Sequence, residues 1–254
     1  MSLASTPPAL TVVIPAYHEG DRLRETVRRV GEVCASVAGA HEIIVVLDGA
    51  EEATRASVQP DARAGREVRV LVNERNRGKG FSIRRGVLDA RGACVVFTDA
   101  DLSIPIESLG AFMAALDGGA DIAIATRLAA DAKEHGTRAR GRRFMSRAFN
   151  TLVQGTMLPG ITDSQCGFKA FRRDVARQLF QAQRIDRFAF DVEVLWLARA
   201  WGCRVVEVPV TCVYYTHSSV RRVLDSVSMI RDLARIRWAA ARGRYPASGA
   251  TRSE

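Results

Sequence analysis

Four times in its first hundred residues the chain runs a short apolar segment into a cluster of polar side chains. LTVVIPAY (10–17) leads to Glu19, and HEIIVVLDG (41–49) reaches Asp48. EVRVLVNE (67–74) opens into Asn76–Lys79, and CVVF (94–97) runs into Asp99 and Asp101. Helical patterns lie between them, from about 21 to 37, from about 51, and over 81–90. Short β-branched strands alternating with helices predict an α/β chain with a parallel, right-handed, doubly wound sheet and helices on both faces. Ligands gather beyond the carboxyl ends of the strands in such sheets, and all four polar clusters fall at such an end.

The second half is less regular. ADIAIATR (120–127) reads as another strand, residues 131–143 are charged, and a helix is expected from about 142 to 153. Residues 161–171 (ITDSQCGFKAF) read as a turn and a strand, 191–201 as a helix, 203–210 as a strand and 219–242 as a long helix. No internal repeat is visible. The expected organisation is one domain over 10–218, a C-terminal amphipathic helix over 219–242, and disordered tails at 1–9 and 243–254.

The 254 residues suffice for one large α/β domain, and 47% hydrophobic with 26% charged residues is ordinary for a globular protein. A net charge of +9 is not ordinary, and points to nucleic acid, a phosphorylated substrate or an anionic membrane surface. The five cysteines are odd in number and include no CxxC pair, which argues against a disulfide framework or a thiolate zinc site, and the four histidines form no HxH or HExxH pattern. No apolar run, the longest being of the kind of Ile43–Leu47, is long enough to span a bilayer. The expected location is cytoplasmic. A nucleic-acid partner accounts for the charge but not for acids at the strand ends, and aromatic residues do not alternate with the basic ones, so none is expected.

Asp99-Ala100-Asp101 sets two carboxylates one residue apart at a strand end, where a hard divalent cation with oxygen ligands relieves their repulsion. A turn or helix cap uses the same residues. In NRGKG (76–80), Gly78 and Gly80 permit close approach to an anion and Lys79 supplies a point charge, although a basic surface turn reads alike. The GxxxxGK[ST] spacing of a P-loop is absent. Tyr17 suits packing on a base or ribose. Glu19 suits a hydroxyl or the start of a helix, and Asp48 a base edge or a turn with Gly49.

PAYHEG, LDG, NRGKG, DADLS, ITDSQCGFKAF and FDVE occur in an order that resembles inverting family 2 glycosyltransferases of the GT-A fold. Within these the resemblance is strongest to dolichyl- and polyprenyl-phosphate β-glucosyltransferases, with the mannose synthases beside them, over roughly 10–240. It implies a mixed, mainly parallel sheet, a nucleotide-sugar donor (UDP-glucose, with GDP-mannose as the other choice), Mg²⁺ or Mn²⁺, and a polyprenyl phosphate acceptor. Carried over by position, Pro15, Ala16, Tyr17, Glu19 and Asp48 line the nucleotide pocket, and Lys79 sits near the pyrophosphate. Asp99 and Asp101 bind the metal. Arg127 and Gln165 face the donor sugar or acceptor phosphate, and Asp163 or Asp191 serves near the reaction centre. His18 stands where the family usually has asparagine, and LDGA replaces the commoner DDGS.

An acceptor phosphate is already ionised at neutral pH, whereas a hydroxyl of a small molecule or protein, the rival acceptor, needs Asp163 or Asp191 as a base. Other roles remain open for both: a turn residue for Asp163, and for Asp191 the N-cap of the helix that follows. Arg142, Arg143 and Arg147 are candidates for gripping the acceptor phosphate. In the last helix Val220, Val223, Val227, Ile230, Ala234 and Trp238 form an apolar stripe flanked by Arg221, Arg231, Arg235 and Arg242. That pattern suits a helix on the inner face of an anionic membrane, or one docked on its own domain with a solvated arginine flank.

Overall fold

The computed structural model describes residues 7–59, 61–63, 66–127, 133–135, 149–213 and 222–247. The first four elements follow the expected rhythm: β1 (Leu10–Ala16), α1 (Arg22–Ala38), β2 (His41–Asp48) and a short α2 (Glu52–Ala56). After β3 (Asp61–Arg63) come β4 (Arg66–Asn73), α3 (Lys79–Asp89) and β5 (Cys94–Phe97). A 3-10 turn leads into α4 (Leu109–Asp117), β6 (Ile122–Thr126) and β7 (Lys133–His135). Residues 149–156 are helical (α5). They are followed by β8 (Lys169–Arg172), α6 (Arg173–Ala182), α7 (Phe190–Ala200), β9 (Val205–Pro209), β10 (Thr211–Val213) and α8 (Arg222–Ala241).

Eight strands form one sheet in the order β3-β4-β2-β1-β5-β8-β6-β9, and β10 pairs with β7 apart from it. Strands β4, β2, β1 and β5 run parallel, as do β6 and β9. β3 is antiparallel at the edge, and β8 is antiparallel to both β5 and β6. The sheet is therefore mixed and mainly parallel. Because β8 is reversed, its first residue, Lys169, pairs with the last residue of β5, Phe97. The chain entering β8 thus arrives at the edge where the parallel strands end.

β1 and β2 are buried nearly throughout, as expected of inner strands covered on both faces. Their side chains alternate between two cores. Val12, Ile14, Ile43 and Val45 face one core, with Val27 and Val30 of α1 and Phe112 of α4. Val13, Ile44 and Val46 face the other, with Ile83 of α3, Phe180 of α6, Phe190 of α7 and Ile236 of α8.

Two sequence expectations change here. Val220, Val223 and Val227 of the apolar stripe lie outside the described side chains, and its remaining members, Ile230, Ala234 and Trp238, are not the docked face of α8. Leu233, Ile236 and Ala239 are buried, whereas Ile230 and Trp238 remain 54% and 46% exposed, because the domain takes the side of the helix that presents Leu233 and Ile236. The C-terminal residues are not a free tail from 243 onward either, since Tyr245 hydrogen-bonds Glu193 of α7. Arg142, Arg143 and Arg147, and the part of the expected 142–153 helix before residue 149, lie outside the described residues.

Candidate active site

The chain leaves β5 into a tight turn. Leu102 N–H donates to the Asp99 carbonyl (3.1 Å), Ser103 N–H donates to Asp101 Oδ1 (2.9 Å), and Leu102 takes φ 48°. A left-handed leucine costs about 1–2 kcal/mol, and strain of this kind collects at working sites. Asp99 lies against Gly167 of the loop that enters β8. A Cβ on Gly167 would fall 2.0 Å from Asp99 Oδ2, so only glycine leaves that carboxylate its place.

Lys79, at the N-terminus of α3, places its Nζ 2.5 Å from Asp99 Oδ1. Burial works against its charge, but the Asp99 carboxylate, then Asp191 and Asp101, outweigh burial and raise the ammonium above its ordinary value. The loop before Lys79 is set by Asp48. Its Oδ1 accepts from Asn73 Nδ2 (2.9 Å) and Arg77 N (2.8 Å), and its Oδ2 accepts from Gly78 N (2.8 Å). The sequence offers Asp48 a base edge or a turn with Gly49; in the structure its buried carboxylate accepts from the backbone of the 76–80 loop and holds that loop. The far side of that loop lies on residues 185–187. A Cβ on Gly78 would fall 2.5 Å from the Asp186 carbonyl oxygen, and one on Gly80 2.8 Å from that of Ile185.

Arg127 follows β6 and forks onto Asp163, Nε to Oδ2 at 2.7 Å and Nη2 to Oδ1 at 2.9 Å, with its backbone N–H also on Oδ2 (3.1 Å). Asp163 is fully buried. Burial would raise its carboxyl, but the Arg127 hydrogen bonds and charge prevail and hold it below the usual range. Glu207 of β9 pins the same loop, its Oε1 accepting from Thr162 N (2.9 Å), Thr162 Oγ1 (2.8 Å) and Asp163 N (3.1 Å). Gln165, two residues on, is half-buried. Asp191 is not a cap: Ala189 holds the N-cap of α7, and Asp191 Oδ1 accepts from the buried Lys169 Nζ at 2.6 Å. Lys169 Nζ also donates to the Cys166 carbonyl (2.6 Å). Burial pushes the Asp191 carboxyl up, with Lys169 and Lys79 opposing it.

At the end of β1, Pro15 is half-buried, Ala16 is buried, and Tyr17 is 38% exposed with its ring 3.7 Å from that of His18. The backbone N–H groups of Glu19 and Gly20 donate to Thr54 Oγ1 (3.2 and 2.9 Å), and the Glu19 carboxylate pairs with Arg22. Asp99, Lys79, Asp191 and Lys169 thus form one chain of alternating charge, with Asp48 fixing the loop that carries Lys79. Arg127 and Asp163 pair beside it, and the Lys169 charge also reaches Asp163.

The donor set suits Mg²⁺ or Mn²⁺. Asp99 and Asp101 offer hard oxygen donors, and Asp99 has a cradle that any Cβ on Gly167 would fill. Among the described residues no third acidic, histidine or cysteine side chain completes a cluster with them. Two carboxylates plus substrate phosphates is the usual pattern for Mg²⁺. Sequence reasoning missed Gly167, Lys169, Asn73, Glu193 and Glu207. Lys169 and Glu207 carried a signal, a charge inside an otherwise apolar strand.

Comparison with known proteins then adds three findings. The model of the family described as glycosyl transferase family 2 matches residues 11–180. A dolichyl-phosphate beta-glucosyltransferase of Dictyostelium discoideum is 31% identical, with 90% of this chain and 74% of that protein covered. One of Drosophila melanogaster is 35% identical, with 88% and 73% covered. Among solved structures, glucosyl-3-phosphoglycerate synthase from Mycobacterium tuberculosis in complex with Mn²⁺, UDP-glucose and phosphoglyceric acid superposes with TM-score 0.64 at 16% identity. That match covers 95% of this chain and 82% of the other. The likeness establishes the fold.

Proposed function

The chain belongs to glycosyl transferase family 2 and is a glycosyltransferase of the GT-A fold, and from that premise we propose that it transfers glucose, with inversion, from UDP-glucose to a polyprenyl phosphate. The observation that carries the choice of acceptor is the state of the two carboxylates nearest in role to a general base. Asp163 and Asp191 are both buried, and each is paired with a cation, Arg127 or Lys169. A hydroxyl acceptor needs a base, while an ionised phosphate does not. The relatives, named as dolichyl-phosphate beta-glucosyltransferases, point the same way.

An oxygen of the acceptor phosphate attacks the anomeric carbon as the bond to the donor's β-phosphate oxygen breaks, and the bonding pair leaves with UDP. Lys79 meets the charge that develops on the diphosphate, held in place by the loop that Asp48 anchors. Asp99 and Asp101 would hold Mg²⁺ or Mn²⁺, which when bound supplies further positive charge to the leaving diphosphate. Asp163 sets the plane of the Arg127 guanidinium toward the sugar or acceptor. Pro15, Ala16 and Tyr17 flank the nucleoside, and Gln165 faces the donor sugar or the acceptor phosphate.

The acceptor's lipid implies a surface. α8 turns Ile230, Ala234 and Trp238 outward together with Arg231, Arg235, Arg237 and Arg242, a face that suits peripheral binding to anionic lipid. No helix among the described residues is long and apolar enough to cross a membrane.

A hydroxyl acceptor is the second reading, favoured by the raised Asp191 carboxyl. The deciding assay is turnover of radiolabelled UDP-glucose with Mg²⁺ against a short polyprenyl phosphate and the corresponding hydroxyl-only lipid, with GDP-mannose as the alternative donor. Glucose label on the phosphorylated lipid alone is the expected result. Label on the hydroxyl lipid would make Asp191 the base, and donor hydrolysis without lipid product would reject the acceptor assignment.

A further inference from the structure

Glu193 lies beyond the charged chain, on α7, and is completely buried. A carboxylate withdrawn from water has to be matched by donors. Its Oε1 accepts from Tyr245 Oη (2.5 Å) and Arg184 N (3.0 Å), and its Oε2 from Ile185 N (2.8 Å) and again Arg184 N (3.0 Å). Two distant segments therefore meet on one side chain.

The first segment, residues 183–187, is the seat of the 76–80 loop. Gln183 Nε2 donates to the Gly80 carbonyl (3.0 Å) and to that of Ile185 (2.7 Å), and Phe81 N–H donates to the Asp186 carbonyl (3.0 Å). The clearance at Gly78 and Gly80 is too small for any Cβ, so a shift of 185–187 is passed directly to the backbone on either side of Lys79. The second segment is the chain that leaves α8. Besides the Tyr245 bond, Arg184 Nη1 donates to the Arg244 carbonyl (3.1 Å), and the Tyr245 ring packs on Trp196 at 5.3 Å. Beyond Tyr245, Pro246 and Ala247 border a cavity of about 650 Å³ that Arg84, Arg184 and Trp201 also line, so the segment is held at Arg244 and Tyr245 rather than packed along its length.

We propose that Glu193 is a positioning residue for the donor, and that Tyr245 completes the clamp by which the end of α8 holds the diphosphate loop in register. The inference rests on taking residues 76–80 as the diphosphate site. Glu193 touches neither substrate nor Lys79. It acts through Arg184 and Ile185, and Tyr245 keeps its carboxylate turned toward them.

The test is equilibrium binding of UDP with Mn²⁺ to the full chain, in the parent and in the Tyr245→Phe and Glu193→Gln variants, alongside thermal melting and steady-state kinetics. Tyr245→Phe keeps the ring and removes one hydroxyl. It is expected to weaken UDP roughly three- to tenfold, less than the full loss of one hydrogen bond to a charged group because the effect reaches the donor only through residues 184–187, and to raise the donor KM in step while kcat stays within about twofold. Glu193→Gln is expected to weaken UDP further. A fall in Tm with UDP affinity unchanged in Tyr245→Phe would overturn the proposal, and that variant decides the matter even where Glu193→Gln fails to fold. A parent protein that binds no UDP would overturn the diphosphate-site assignment itself, and the clamp with it.

Discussion

Replacing Gly167 with alanine tests whether Asp99 is held where the chemistry needs it. The added Cβ would stand 2.0 Å from Asp99 Oδ2 and 2.7 Å from its Cγ. Ordinary contact begins near 3.4 Å, so the carboxylate must retreat by about 1.4 Å, or by about 1 Å at the tightest tolerated approach. The φ of Gly167 is not positive, so alanine meets no left-handed strain there. Moving the end of one side chain is mild for the fold. For the reaction it is not: a misplacement of about 1 Å can cost about 100-fold, or about 2.7 kcal/mol of transition-state stabilisation. The expected outcome is a melting temperature within a few degrees of the parent, with kcat/KM for the sugar nucleotide lowered about 100-fold. The assay is initial-rate transfer over a Mn²⁺ titration, because a displaced metal ligand should also shift the metal requirement upward. A variant within threefold of the parent at every Mn²⁺ concentration would refute the argument that Gly167 holds Asp99 in place.

Asp101→Ala should give folded protein without transferase activity, and full activity of the parent in excess chelator would remove the metal assignment. Asp163→Asn removes the carboxylate onto which the half-buried Arg127 forks, so urea denaturation should show a loss of about 1.5–3 kcal/mol, the scale of a hydrogen bond between charged groups. Asp163 also sets a pH dependence. Its folded carboxyl lies below the ordinary 3.8, so the unfolded chain binds the extra proton first. The stabilisation is therefore complete above that value and fades as pH falls through the lowered folded one, and the Asn variant should show a flatter acid limb. Trp238→Glu, at an exposed site, should leave the Tm nearly unchanged and lower cosedimentation with anionic vesicles roughly tenfold. Equal binding by parent and variant would exclude α8 as the membrane face.

Much of the site was legible in the sequence because its parts are local. An apolar run followed by an acid marks a strand end wherever it occurs, and Asp48, Lys79, Asp99 and Asp101 each follow such a run. The duties of these residues were less legible. Asp48 suggested a base edge or a turn with Gly49, and nothing local showed that its carboxylate also holds the loop 29 and 30 residues further on. Asp191 suggested either a place near the reaction centre or a helix cap; it is no cap, and its carboxylate answers Lys169, 22 residues away. The stripe of α8 was visible as a periodicity, but periodicity could not tell whether the domain or the solvent receives it.

Alone, the sequence determined the alternation of strands and helices, the edge at which polar residues gather, and the stock of carboxylates, lysines and arginines available there. Only the tertiary structure decided that β8 runs against its neighbours, since side chains alternate with period two in either direction. That reversal brings Gly167 and Lys169 to the strand ends, against Asp99 and Asp191. It likewise decided that Arg127 meets Asp163 across 36 residues and Tyr245 meets Glu193 across 52. Hydrogen bonds and ion pairs depend on separations of a few ångströms in space, and no pattern of neighbours along a chain specifies which distant segments come that close.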